Sequence, residues 1–142
     1  MIKLSDDLKH RLVNALTDGV AVVVGYVDRN GDPHVSPYGS LHAAGDDALA
    51  LWVRNPNGDL VHGIARNPKV EVFYAQLSSR TFVWMRGRAQ IVTDEAERAN
   101  VFEGMHPFER TGDPERKGVA VRIELDAAQG RAADGTMFSM TR

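Results

Sequence analysis

The stretch ALALWVRNPNGDLVHGIARNPKVEVFY, residues 48–74, combines a strand, a turn, a short helix and a second strand. In residues 48–54 the side chains Leu49, Leu51 and Val53 lie on one face, and Ala50, Trp52 and Arg54 lie on the other. This period of two suits a strand with one buried face. The turn formers NPNGD follow, and Gly58 permits a tight bend or a close approach to a ligand. From Asp59 the apolar period becomes helical. Pro68 ends this helix because it forces its predecessor towards extended geometry.

The 142-residue chain predicts a single domain, residues 1–142, large enough to bury a core. Its net charge of −2 gives no electrostatic argument for binding nucleic acid or an anionic membrane. The chain contains no cysteine, which excludes disulfides and thiolate sites. No apolar run approaches the roughly 18 residues that span a bilayer, and the first residues lack the apolar segment of a secretion signal. These features predict a cytoplasmic protein.

Before residues 48–74, the sequence pattern predicts one helix and two strands. Ser5 is a suitable N-cap for a helix that ends near Gly19. Residues 20–27 are apolar on both faces and predict a central strand, and the Asn-Gly of DRNG predicts a two-residue hairpin turn. The second strand is predicted from Pro33 to about His42. Because Pro37 cannot donate a ladder hydrogen bond, part of this strand should lie at an edge or a bulge.

From residue 69 onwards, the same reasoning predicts strands, one helix and a long surface loop. The predicted strands cover residues 69–75, 81–93, 119–125 and 136–140, the helix covers 94–105, and the loop covers 106–118. Six or seven strands with short hairpins and only three modest helices favour a mainly antiparallel sheet closed as a small β-barrel.

Three predicted strands share an unusual second face, on which an aromatic side chain accompanies polar or cationic ones. These sets are Tyr38 with Ser36 and Ser40, Trp52 with Arg54, and Trp84 with Arg86 and Arg88. One explanation is a subunit interface, where Trp, Tyr and Arg are enriched. Another is a crevice for a flat aromatic cofactor that carries a phosphate. Both explanations hold if the cofactor lies between two subunits.

Other chemical motifs are weak. The five histidines do not show the spacing of metal ligands, so no metal site is predicted. The strand serines Ser36 and Ser40 lie outside any nucleophile motif, and no residue is assigned a catalytic role. His62 lies off the apolar stripe of its helix, near the helix start, and is a candidate ligand contact. Glycine-rich phosphate motifs are absent.

Several strings, in this order, carry a family resemblance. They are VAVVVGYVDRNGDPHVSPYGSL (residues 20–41), ARNPKVEVFY (residues 65–74) and VWMRGRAQIVTDEAE (residues 83–97). The chain resembles the pyridoxamine-5′-phosphate-oxidase-like family of flavin-binding split β-barrels, from its first helix to the strand at 119–125.

This resemblance implies a homodimer with flavin mononucleotide (FMN) bound at the interface, and a small-molecule substrate. It implies that the second strand presents its backbone to the isoalloxazine ring, that residues 52–58 hold the ribityl phosphate, and that the strand bearing Trp84 lies at the interface. The expected cofactor-binding residues are Ser36, Pro37, Tyr38, Gly39, Ser40, Trp52, Arg54, Asn55, Gly58, His62, Trp84, Arg86 and Arg88.

Typical family members carry basic residues where this chain has Gly58, Asp59 and Leu60. The candidates to replace those contacts are Arg54, Asn55, His62 and Arg88. Arg54 ends the third strand just before the Asn57-Gly58 turn and is the expected main phosphate contact. The alternative is that Arg54 pairs with Asp59 on a solvated loop. The leading hypothesis is an FMN-dependent oxidoreductase. We also expect the chain to lack the C-terminal extension with which true pyridoxamine phosphate oxidases grip their substrate, and their activity is not assigned to it. The alternatives are the same barrel with a deazaflavin or haem, and a non-enzymatic flavin-binding or stress-response protein.

Overall fold

A computed structural model describes the whole chain, residues 1–142. The elements in chain order are α1 (Asp6–Asn14), β1 (Val23–Val27), β2 (Pro33–Pro37), β3 (His42–Ala43), β4 (Ala48–Val53), α2 (Asp59–Arg66), β5 (Lys69–Gln76), β6 (Thr81–Val92), α3 (Glu95–Gly104), α4 (Pro107–Arg110), β7 (Val119–Arg131) and β8 (Met137–Thr141). No helix has both the length and the apolar composition needed to cross a bilayer.

The eight strands form one antiparallel sheet in the order β2-β1-β5-β6-β7-β4-β3, and β8 also pairs with β7. The first half of β7 pairs with β4 and its second half with β8, while β6 runs along its other side. A register shift at Arg86/Gly87 bends the long β6–β7 pair. The sheet curls around one apolar core, which includes Leu49, Val72 and Met85. The predicted split antiparallel β-barrel is confirmed, although its edges, β2 and β3, do not pair to close it.

The strand β4 is buried on both faces, so the prediction of one buried face is wrong. Leu49 and Leu51 point into the barrel core, as the alternation predicts. Ala50 and Trp52 belong to a second apolar cluster, because α3 packs over this side of the sheet. An amphipathic pattern cannot reveal that a distant helix covers the outer face.

The second predicted strand is two elements rather than one. β2 stops at Pro37 and is an edge strand that pairs only with β1, as expected for a proline-containing strand. The chain then turns, and β3 pairs with β4. The Ser40 hydroxyl fixes this turn, since it accepts from the Trp52 N–H at 3.0 Å and donates to the Trp52 carbonyl at 2.9 Å.

The predicted hairpin between β1 and β2 is present, but its loop has three residues. Asp28 N–H bonds the Asp32 carbonyl, and only Gly31 has a positive φ, of 84°. A three-residue loop of this kind ends with a residue in the left-handed region, and here that residue is glycine. β1 pairs on both sides, as predicted for a central strand, but its residues alternate between buried and half-buried and are not buried on both faces.

The helices largely follow their predicted caps. Ser5 Oγ accepts from Leu8 N at 3.1 Å, which confirms the N-cap of α1, although α1 ends at Asn14 and a turn continues to Gly19. Asp94 caps α3 in the same way. Two predictions need correction in length, since β7 extends to Arg131 and the predicted loop contains the single turn α4.

Candidate functional site

A cleft of about 460 Å³ opens between the end of β2, the end of β4, the start of α2 and α4. Nine of the thirteen residues expected from the sequence line it: Ser36, Pro37, Tyr38, Gly39, Ser40, Trp52, Arg54, Asn55 and Gly58. They come together because the Ser40 hydroxyl ties the turn after β2 to the β4 backbone. The sheet therefore brings residues from two separate predicted strands to one place.

Trp52 contributes to the cleft in a different way from that expected. Its indole is buried under α3, where the Phe102 ring stands edge-on at 5.0 Å and the Arg98 guanidinium lies 4.7 Å from the ring centre. Its Nε1 donates to Asp113 Oδ2 at 2.8 Å. Trp52 therefore fixes the 106–118 segment against the sheet, and its indole is not exposed on a subunit surface.

Asp113 is held as a carboxylate by this arrangement. Partial burial opposes ionisation, but hydrogen bonds from Trp52 Nε1 and from the N–H groups of Gly118 and Lys117 outweigh it and lower the pKa of Asp113. The carboxylate thus closes the loop Asp113–Gly118 and anchors it to β4.

Arg54 is the cation of the cleft, and it already has a partner. Its Nη2 donates to Glu109 Oε2 at 2.5 Å, and the Glu109 side chain is only 16% exposed. The expected alternative pairing with Asp59 is not present, because Asp59 lies 4.0 Å from Arg29 instead. The sequence does not predict a role for Glu109, because nothing local distinguishes it from the other acidic residues of the polar loop. The Pro107 that begins α4 was the available signal of local order.

The start of α2 forms another wall of the cleft. Gly58 is the N-cap and offers no side-chain oxygen to the first helical N–H groups. Asn55 shapes the turn before it, since its Oδ1 accepts from Asn57 N at 3.0 Å and its carbonyl from Gly58 N at 3.1 Å. The first-turn N–H groups carry partial positive charge, and the Asp59 carboxylate beside them opposes an anion.

Two tyrosines and a histidine form the aromatic wall of the cleft. The Tyr26 ring stacks on His34 with 5.1 Å between centroids. Burial raises the pKa of Tyr38 to about 12, and Tyr26 and Asp59 add to this effect. Burial also raises the pKa of Tyr26. Both phenols are therefore neutral at physiological pH and able to donate hydrogen bonds to a ligand.

The other four expected residues lie outside this cleft. His62 is exposed on α2, and Trp84, Arg86 and Arg88 lie on the outer face of β6. Trp84 is 41% exposed and packs on Phe73 with 4.9 Å between ring centroids. Arg86 pairs with Glu71 at 3.0 Å, and Arg88 pairs through two nitrogens with Asp126.

Comparison with known proteins agrees with this architecture. Residues 8–130 match the family model described as pyridoxamine 5′-phosphate oxidase. No curated protein matches the sequence.

Among solved structures, HupZ from Group A Streptococcus is 19% identical with a TM-score of 0.68, covering 95% of this chain and 98% of its own. A Clostridium acetobutylicum protein related to general stress protein 26 of B. subtilis, of the pyridoxinephosphate oxidase family, is 14% identical with a TM-score of 0.66, covering 94% and 95%. General stress protein 26 from Bacillus anthracis is 18% identical with a TM-score of 0.64, covering 94% and 98%. At these identities the similarity shows the fold.

Proposed function

The chain belongs to the pyridoxamine 5′-phosphate oxidase family, and on this basis we propose that it binds FMN in the cleft and acts as an FMN-dependent oxidoreductase on a small molecule. The single observation that carries the proposal is the convergence of the residues 36–40 and 52–58 on one cleft. The family resemblance assigns the first segment to the flavin ring and the second to its phosphate.

The residues of the cleft suit the ring and the ribityl chain of a flavin. The edge strand β2 pairs on one side only, so part of its backbone can bond the polar edge of a ring. Tyr38 is a neutral phenol in the same wall. At the other end, Arg54 and the first N–H groups of α2 are the groups that would attract a phosphate.

A bound flavin supplies the oxidation–reduction chemistry, while the protein orients the flavin and its substrate. The cleft contains no pair of side chains arranged as nucleophile and base, which suits a reaction carried by the cofactor. Within it, the assigned roles are positional: Ser40 fixes the ring-binding turn, Asn55 shapes the phosphate-binding turn and Arg54 supplies the positive charge.

The outer face of the sheet supports a homodimer, which we also propose. Trp84 and Phe73 form an aromatic pair there. The edge strand β2, which β1 separates from β5, presents Val35, which is 70% exposed, on the same face. The Arg86–Glu71 ion pair borders these apolar groups. An aromatic centre with a charged border is the usual composition of a subunit interface.

One observation favours a second candidate ligand, haem. The imidazole of His34 lies in the cleft wall on an exposed edge strand. Histidine is a common axial ligand of haem iron. Haem is therefore the comparison ligand in the test below, together with a deazaflavin.

The test is titration of the purified protein with FMN, riboflavin, a deazaflavin and haem, followed by thermal unfolding and tryptophan fluorescence. A ligand at 100 times its dissociation constant should stabilise the protein by about 2.7 kcal/mol. Arg54→Ala should weaken FMN binding about ten- to a hundredfold, since it removes a charged hydrogen bond of roughly 1.5–3 kcal/mol. Riboflavin should be much less affected.

Arg66→Ala is the matched control, because Arg66 is exposed at the far end of α2 and bonds only the Arg29 carbonyl. Oxidoreductase activity would be demonstrated in two steps. A nicotinamide reductant should abolish the visible absorption of the bound flavin, and an electron acceptor should restore it. No stabilisation by FMN and no change in tryptophan fluorescence would contradict the proposal. Binding of haem alone would establish the second candidate.

A further inference from the structure

We infer that Glu109 is a specificity-determining residue, an internal anion that occupies Arg54 and competes with the phosphate of a ligand. A phosphate-bearing ligand must displace Glu109 from the cleft, whereas a neutral ligand need not. The inference rests on the proposed function only for the identity of the ligand as a flavin. The competition itself concerns any phosphate.

The Glu109 carboxylate is placed in the cleft by packing as well as by charge. It pairs with Arg54 Nη2, and the side chain is mostly buried although α4 lies on the surface. It also lies against Gly39, where an added Cβ would overlap Glu109 Oε1. Arg54 in turn packs so closely on Gly112 that a Cβ there would overlap the guanidinium. The carboxylate therefore bridges the two cleft segments assigned to the flavin.

The segment that carries Glu109 is built to present it. Pro107 begins α4, and His106 caps it by accepting from Phe108 N at 3.1 Å. His106 Nε2 also lies 2.6 Å from Thr17 Oγ1, which ties this end of the segment to the turn after α1. At the other end, Asp113 is bonded to Trp52. Glu109 thus lies between two anchored points.

The charges of the cleft disfavour phosphate while Glu109 stays in place. The cleft lining contains one cation, Arg54, and two carboxylates, Asp59 and Glu109. A phosphate monoester adds about 1.5 to 2 negative charges at neutral pH. Like charges at hydrogen-bonding distance repel, so the phosphate and Glu109 cannot share Arg54 at low cost. Removing the Glu109 charge should strengthen phosphate binding selectively.

The decisive variant is Glu109→Gln, which keeps the size of the side chain and removes its charge. Dissociation constants are measured for inorganic phosphate, FMN and riboflavin by calorimetry or fluorescence. We expect the dissociation constants of phosphate and FMN to be lower in the variant by a factor of about ten or more. Riboflavin should change little. Glu103→Gln is the matched control, because Glu103 lies on α3 outside the cleft and pairs with Arg116.

A second variant tests the same idea without changing the charge. Gly39→Ala should push the Glu109 carboxylate off its position, since the contact is the far end of a flexible side chain. The φ of Gly39 is not in the left-handed region, so alanine fits the backbone. We expect phosphate to bind more tightly to this variant as well, provided that circular dichroism and thermal unfolding show it folded.

Unchanged phosphate affinity in folded Glu109→Gln, or an equal gain for riboflavin, overturns the inference. If Glu109→Gln does not fold, the phosphate affinity of Gly39→Ala decides in the same way. Failure of the proposed function gives a different result: no variant and no parent protein would bind a flavin, while inorganic phosphate would still distinguish Glu109→Gln from the parent.

Discussion

Gly63→Ala should destabilise the protein, although alanine is the better helix former. Gly63 lies in α2, where the helix crosses the end of β1. A Cβ at this position would overlap the Val27 carbonyl oxygen and would lie 3.2 Å from Tyr26 Cδ2 and 3.3 Å from Asp28 Cα. The first contact is with backbone of the sheet and cannot move aside as a side chain would. The helix must therefore shift as a body.

Two opposing effects set the magnitude. Replacing glycine by alanine inside a helix gains up to about 1 kcal/mol. Overpacking a close contact costs typically 1–3 kcal/mol, and a rigid backbone neighbour favours the upper half of that range. The net expectation is a loss of about 1–2 kcal/mol. For a chain of this size, 1 kcal/mol corresponds to roughly 3 °C in melting temperature, so a decrease of about 3–6 °C is expected.

The assay is urea unfolding of parent and variant, followed by fluorescence and by circular dichroism so that two-state behaviour is checked. His62→Ala is the matched control, because His62 precedes Gly63 on the same helix but is exposed. This control should be neutral or slightly stabilising. A Gly63→Ala protein as stable as the parent, or more stable, would refute the argument that close packing of α2 on β1 determines the sign.

Two further predictions concern the outer sheet face and the cleft wall. Trp84→Asp should convert a dimeric parent to monomers in light scattering, because it places a carboxylate in the aromatic centre of the proposed interface. The control Gln90→Asp, at the end of the same face, should leave the dimer intact. A monomeric parent would contradict the proposed interface. Because the pKa of Tyr38 is raised from 10.0 to about 12, the unfolded state releases this proton first, and stability should fall as pH rises from 10 to about 12. Tyr38→Phe should flatten that decline in denaturant titrations, and an unchanged slope would argue against burial of the phenol.

The elements that the sequence predicts well are those defined by local patterns. The change of period around Gly58 predicts β4, α2 and β5 close to their observed bounds, and the alternation from Thr81 gives the buried face of β6. The convergence of residues 36–40 and 52–58 follows from the family resemblance, which supplies the order of the strands. The element predictions succeed because neighbouring residues decide them, whereas the assignment of residues 36–40 and 52–58 to a flavin stays a prediction.

The features that the sequence misses depend on distant residues. The outer face of β4 is covered by α3, and the Trp52 indole bonds Asp113, sixty-one positions later. Glu109 resembles any acidic residue of a polar loop until the fold sets it beside Arg54. The break after Pro37 depends on a hydroxyl bonded across to β4. No local period encodes such contacts.

The position of β7 has a consequence for synthesis on the ribosome. β4 and β6 do not pair with each other, because β7 lies between them. Until residue 119 and those after it have emerged, each of these two apolar strands has an unpaired edge. Unpaired apolar edges are the sites where nascent chains associate wrongly. We therefore expect chaperone contact with the nascent chain to persist until β7 has emerged and paired with both strands.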